Sequence, residues 1–224
     1  MNRQIISKQR VADHGEVFTS EKIVNAMLDL VKQETERIDS RFLEPACGTG
    51  NFLTEILRRK IDKVEMTYRR SQPEFERYLV LAISSIYGID ILQDNIAECR
   101  QRLYVMADER YTALYKRRTK AGMRRTLRFI LKCNIIWGDA LTLLTAGPDR
   151  HQIIFSEWAF PLNDSRIKRR DFVFAELLPG GHPNPPDLFS KDVLRSDEGK
   201  KVFIPTETYS HPLVHFLELG ETHE

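Results

Sequence analysis

The stretch Leu43-Glu44-Pro45-Ala46-Cys47-Gly48-Thr49-Gly50-Asn51-Phe52-Leu53 decides the fold. Arg41-Phe42-Leu43-Glu44 reads as a short strand that runs into the glycine-rich turn. Asn51 to Lys60 reads as a helix with Phe52, Leu53, Ile56 and Leu57 on one side. Strand, glycine turn and helix in that order open an α/β unit. The glycines let backbone approach a ligand closely. The helix start offers free N–H groups and a positive dipole end to a carboxylate.

Upstream, Glu21 to Glu36 reads as a helix in which Ile23, Met27, Leu28, Leu30 and Val31 cluster at helical spacing. Thr19 or Ser20 can cap its start, and Asp39-Ser40 breaks it. Downstream, Pro73 suits the first position of a helix over Glu74 to Ser85. Ile86-Tyr87-Gly88-Ile89-Asp90-Ile91 is a mostly apolar run with an acid near its end, a buried parallel strand. Gln93 to Tyr104 is a helix, and Cys133 to Trp137 a third strand leading into Gly138-Asp139-Ala140. Gln152 to Phe155 is a candidate fourth. The alternation predicts a doubly wound, mostly parallel sheet. Seven of the ten prolines lie from Pro161 onward, so the C-terminal part is expected to be irregular.

The 224 residues suit one domain, or one domain with an appendage. A hydrophobic content of 42% is enough to bury a core, and no stretch approaches the roughly 20 apolar residues of a membrane helix. Met1-Asn2-Arg3-Gln4 lacks the apolar run of a secretory signal. Three cysteines without metal-ligand spacing speak against a disulfide scaffold and a zinc site, so no metal and a reducing cytoplasm are expected. The net charge is only +2, yet Arg110 to Lys132 holds nine basic residues and no acid. That stretch is expected to be helical in parts and interrupted near Gly122. It reads either as a solvated face or as a contact for DNA phosphates, and so does Arg166-Ile167-Lys168-Arg169-Arg170.

Four pieces of sequence carry chemistry, in order. They are Gly15-Glu16-Val17-Phe18-Thr19, the glycine stretch, Gly88-Ile89-Asp90-Ile91 and Gly138-Asp139-Ala140-Leu141. An acid ending the second strand can accept hydrogen bonds from a ribose diol. An acid ending the third can reach an adenine amino group. Gly48-Thr49-Gly50 lacks the third glycine of a dinucleotide fingerprint, and the Lys-Ser/Thr of a P-loop is absent. A ligand with one carboxylate, one ribose and one adenine fits better, and S-adenosylmethionine (SAM) has those parts.

These pieces resemble motifs X, I, II and III of the amino-group DNA methyltransferases of restriction–modification systems. The resemblance covers roughly residues 14 to 142. It implies a Rossmann-like, class I SAM-dependent methyltransferase fold and adenine-N6 methylation of DNA. Phe18 and Thr19 would close over the methionine end of SAM. Glu44 and the backbone of Ala46, Cys47, Gly48 and Gly50 would hold its ammonium and carboxylate. Asp90 would hold the ribose with Ile91 against the adenine, while Asp139 would contact the amino group and Ala140 the ring edge. Bland readings stand beside these. Cys47 is a small buried residue rather than a nucleophile, Asp90 and Asp139 could merely cap the helices after their strands, and Trp137 and Trp158 read as core or pocket wall.

The family places Asn/Asp-Pro-Pro-Tyr/Phe after its fourth strand, where side chain and carbonyl accept the hydrogens of the flipped base's amine. Here that position reads Ser156-Glu157-Trp158-Ala159-Phe160-Pro161. Asn184-Pro185-Pro186-Asp187 follows a Pro/Gly-rich run and has Asp in place of the aromatic, so no catalytic residue is assigned. The expectation is a SAM-binding unit over residues 1–157 and an irregular segment over 158–224 packed on it. Alternatively the chain is a non-catalytic SAM-binding subunit, and a partner chain supplies the catalytic loop and DNA recognition.

Overall fold

The computed structural model describes residues 19–162, 164–178, 194–195, 201–202 and 207–221. Thr19 and Ser20 lead into α1 (Glu21–Asp29), followed by α2 (Lys32–Thr35) and strand β1 (Phe42–Glu44). Two helical hairpins follow. The first is α3 (Asn51–Tyr68) and α4 (Gln72–Ser84), leading into β2 (Ile86–Asp90). The second is α5 (Gln93–Tyr115) and α6 (Ala121–Asn134), joined through a short 3-10 turn at Lys116–Arg118 and leading into β3 (Ile135–Asp139).

β1, β2 and β3 lie side by side in that order and are parallel, and β4 (Leu144–Thr145) runs antiparallel beside β3. Phe42 pairs with Ile86, Gly88 with both Glu44 and Ile135, and Asp90 with Trp137. The register puts Glu44, Gly88, Asp90 and Asp139 on one face, because side chains alternate along a strand. That face carries all four long helices; Leu53, Leu57, Ile83, Ile86, Leu103, Leu127 and Ile135 form one core there. Tyr87 and Ile89 point to the opposite face and pack on Ile153, Phe155 and Phe174.

The second winding of the sheet is not found among the described residues. The candidate fourth strand does not join β1–β3. Instead β5 (Ile154–Ala159) forms an antiparallel hairpin with β6 (Arg166–Val173), which continues into α7 (Phe174–Leu177). The cause lies in the polar anchors of β5 and β6. Ser156 donates to Asp171 at 2.7 Å, the Trp158 indole N–H donates to Asn134 at 3.0 Å, and the Tyr87 hydroxyl donates to the Ser156 carbonyl at 2.9 Å. These bonds hold the hairpin against the sheet so that β5 serves both cores: Phe155 packs with Tyr87 and Ile89, and Trp158 faces the helices. β5 crosses position 157, and Trp158, Ile167, Phe216 and Leu219 enter the helix-side core. β7 (Leu194–Arg195) pairs with β8 (Lys201–Val202), while β9 (Tyr209–Ser210) and β10 (Val214–His215) extend β6.

Several boundaries differ from the sequence reading. The helix expected over Glu21–Glu36 breaks at Leu30-Val31, and Ser20 makes no side-chain cap. Only Val24 and Leu28 of α1 are buried; Ile23, Met27, Leu30 and Val31 are exposed. One stripe suffices because Arg59 clamps α1 by polar contacts, 2.8 Å from Asp29 and 3.1 Å from the Asn25 side-chain oxygen. α3 and α5 run past Lys60 and Tyr104, since Ile61 and Val64, and then Ala107, Tyr111 and Tyr115, continue the buried stripe. The basic stretch breaks at Lys116–Lys120, before Gly122. The third strand begins at Ile135, because Cys133 still belongs to α6.

Lys60 is fully buried and donates to Ile38 O at 3.0 Å, to Ser85 Oγ at 2.6 Å and to Ser40 O. It ties the segment entering β1 to the start of β2. Burial pushes its ammonium down to about 7.

Candidate cofactor site

The site sits at the C-terminal ends of β1, β2 and β3, where the chain turns from β1 into α3. Gly48 has φ +52° and Gly50 φ +86°, in the left-handed region where a side chain is strained. A Cβ on Gly50 would also lie 2.6 Å from Cys99 Sγ. The turn is closed by Gly50 N–H donating to Cys47 O at 2.8 Å and Cys47 N–H donating to Ile89 O at 2.9 Å. Gly88 lets α3 and the turn settle on the sheet, since a Cβ there would lie 2.9 Å from Leu53 Cδ1 and 3.0 Å from Cys47 Sγ.

α3 starts with no side-chain cap and no acid in its first turn. Its positive end is therefore left for an anionic ligand group. Glu44 is half-buried. Burial raises its pKa, and the Ala46 N–H works against that rise. Ala46 itself is exposed, and Cys47 is buried. Contact with the Cys99 thiol, and burial, push the Cys47 thiol up, in keeping with a small buried residue rather than a nucleophile.

Asp90 braces the turn. One carboxylate oxygen accepts from Gly48 N–H at 2.9 Å; the other accepts from Leu92 N–H at 2.9 Å and Asn95 Nδ2 at 3.2 Å. A carboxylate offers about four acceptor positions. Asp90 thus keeps about one for a ligand hydroxyl, so a ribose diol would have to displace one of these bonds to use both hydroxyls. Asp139 is freer. Leu141 N–H, 2.9 Å away, holds its carboxyl below the usual carboxylate range. Neither acid caps a helix as the sequence allowed: α5 starts at Gln93 without a side-chain cap, and β3 leads into a turn, so each carboxylate braces the turn that follows its strand instead. Ile91 is exposed and Ala140 half-buried beside them, and the Trp137 indole donates to Ile91 O at 2.9 Å, linking the ends of β2 and β3.

Thr19 reaches the site through its carbonyl, which accepts from Asn51 Nδ2 at 3.0 Å. Phe18, Glu16 and Asn184–Asp187 lie outside the described residues. Two contributors were missed from sequence. Arg102 donates to Thr49 O at 2.7 Å and to Asn51 Oδ1 at 2.9 Å, so it clamps the turn from α5. Asn51 joins that clamp to Thr19. Asn51 stood inside the glycine stretch and was readable; nothing in the sequence separates Arg102 from other helix arginines.

The side chains of Ser156, Glu157 and Trp158 at the expected catalytic position are all engaged within the fold. Ser156 is bound to Asp171, Trp158 to Asn134, and Glu157 to Arg41 at 2.5 Å and to Arg170. The basic segments are mostly neutralised too. Arg110 pairs with Asp62 and Glu65, Lys120 with buried Glu76, Arg124 with Asp108, and Arg125 with Glu221. Arg166 pairs with Asp164, Arg169 with Asp171, and Lys168 donates to His211 O. A cleft of about 620 Å³ lies between β1 and the hairpin, lined by Phe42, Leu43, Tyr87, Phe155, Phe172 and Phe174. It borders none of the glycine-turn or strand-end groups described above. No group of metal-ligating side chains occurs among the described residues, and no described helix is long and apolar enough to cross a membrane.

The model of the family described as MmeI, DNA-methyltransferase domain, matches residues 19–145. No curated protein and no solved structure matches the chain. The matched span runs from Thr19 to the end of β4 and contains the glycine turn and all three strand-end acids. The chain belongs to the MmeI DNA-methyltransferase domain family, a family of restriction–modification methyltransferases.

Proposed function

We propose that the chain binds SAM at the ends of β1–β3 and serves adenine-N6 methylation of DNA. The observation that carries this reading is the uncapped start of α3 set over Glu44, Asp90 and Asp139 on one face. The donor set fits SAM in charge. A helix N-terminus suits its carboxylate, ionised Glu44 its ammonium, one open position on Asp90 a ribose hydroxyl, and Asp139 an adenine amino group. Ala46, Cys47, Gly48 and Gly50 supply backbone to the methionine end, with Thr19 and Phe18 closing over it and Ile91 and Ala140 against the adenine. Bound SAM supplies an activated methyl group on a sulfonium; the chain's residues hold and orient it. We read β1–β3 as the cofactor half of a Rossmann-like class I sheet. We read residues 1–157 as the cofactor unit, with β5 running across that boundary and Trp158, Ile167, Phe216 and Leu219 packing on its core.

A second reading has a specific observation behind it. Ser156, Glu157 and Trp158 are tied into the hairpin, which favours a SAM-binding subunit whose catalytic loop comes from a partner chain. Transfer of tritiated methyl from SAM to unmethylated DNA separates the two. Incorporation by the purified chain supports the enzyme. SAM binding without incorporation supports the subunit, and incorporation should then appear when a chain carrying Asn-Pro-Pro-Tyr is added.

A further inference from the structure

We propose that the pole of the molecule farthest from the strand ends is a second DNA-contact surface, which takes the phosphate backbone of a duplex without reading its sequence. The proposal rests on reading the chain as a DNA methyltransferase. Within the basic stretch, Arg110, Lys120, Arg124 and Arg125 each face an acid, and the Arg128 guanidinium lies 4.0 Å from the centre of the Tyr104 ring. Lys116, Arg117 and Arg118, where α5 ends, are different. All three are exposed and none has a carboxylate partner among the described residues, although the Arg118 guanidinium lies 5.6 Å from the centre of the Tyr115 ring. The turn between α3 and α4 brings Arg69 and Arg70 to the same place, exposed and equally without an ion pair there.

Two hydrogen bonds fix these turns together. The Tyr115 hydroxyl donates to Arg69 O at 3.0 Å, and Gln72 Nε2 donates to Arg118 O at 2.8 Å. Five cations therefore share one end of the helical layer; of the nearby acids, Glu65 and Glu76 are paired with Arg110 and Lys120, and Glu74 stands in the first turn of α4. Lys116 holds φ +50°, a conformation glycine adopts more easily, so a charged side chain is kept at a strained position. A chain with a net charge of only +2 does not acquire such a patch through general basicity. The 23 residues of α5 rise about 34 Å, close to one turn of B-DNA. This contact is thus separate from the methyl-transfer mouth and engages duplex beyond the target base.

The test is fluorescence anisotropy with a random-sequence duplex across a salt series, using the full chain without SAM. The variant Arg69→Gln, Arg70→Gln, Lys116→Gln, Arg117→Gln should bind at least about tenfold more weakly and lose about 3 from the log–log salt slope. Its thermal melt and SAM titration should match the wild type, since all four positions are exposed. Arg117→Glu alone should weaken binding in the same direction. An unchanged slope in the quadruple variant overturns the proposal. So does wild-type chain that binds vesicles of anionic phospholipid but not the duplex. A failure of the cofactor reading would appear in the SAM titration and leave the anisotropy result untouched.

Discussion

At the residue scale, the glycine turn depends on a few side chains that hold it rather than touch a ligand. Gly50→Ala should destabilise the fold by about 1–3 kcal/mol, because φ is +86° and Cys99 Sγ occupies the space a Cβ needs. Denaturant melts measure this directly, and a neutral result would mean the turn relaxes. Arg102→Ala removes the one guanidinium nitrogen, Nη1, that donates to both Thr49 O and Asn51 Oδ1. SAM affinity should fall several-fold with little change in melting temperature. Glu44 carries a pH dependence. Burial raises its pKa, so it takes up a proton at a higher pH than an exposed Glu would. SAM affinity should therefore decline on acidification from above the usual Glu range. Glu44→Gln should bind weakly with that decline removed, which titrations at several pH values would reveal.

At the element scale, helix continuation and hairpin formation follow different rules, and only the first is local. The buried stripe Leu103, Ala107, Tyr111, Tyr115 was readable as period-four burial, so the length of α5 was available from sequence. The positions of Glu44, Asp90 and Asp139 at strand ends were readable too, because each closes a short apolar run. The hairpin was not. An apolar run such as Ile153 to Phe155 is the same signal for a parallel and an antiparallel strand. Its placement is decided by long-range bonds from Tyr87, Asn134 and Asp171. Asp171 shows how strongly β6 is anchored. Burial works to raise its pKa, but hydrogen bonds from His211, Arg169 and Ser156 outweigh that and hold the carboxyl below its usual range. Trp158→Ala should cost about 3–5 kcal/mol by leaving a core cavity and orphaning Asn134. Calorimetric unfolding tests it, and a loss below about 1 kcal/mol would mean the hairpin is not part of the core.

At the scale of the whole molecule, the helices and the sheet ends divide the work. The helical hairpins bury the core on one face, β5–β6 add residues to the cores on both faces, and the glycine turn and three acids stand at the ends of β1–β3. Lys60 joins the sheet to the chain that enters it, and its burial makes stability depend on pH. Its folded value of about 7 lies below the ordinary lysine value, so the unfolded chain binds more protons between the two. Its contribution therefore rises with pH from about 7 towards about 10, and Lys60→Met should flatten that part of the stability profile.

The central claim is that the three strand ends and the turn above them bind SAM. Calorimetric titration of the folded chain tests it most directly. Saturable binding at one site is predicted, weakened by Asp139→Ala, whose carboxylate makes no contact that holds the glycine turn. No heat at millimolar SAM from folded protein, or an Asp139→Ala chain that binds as the wild type does, would contradict the account.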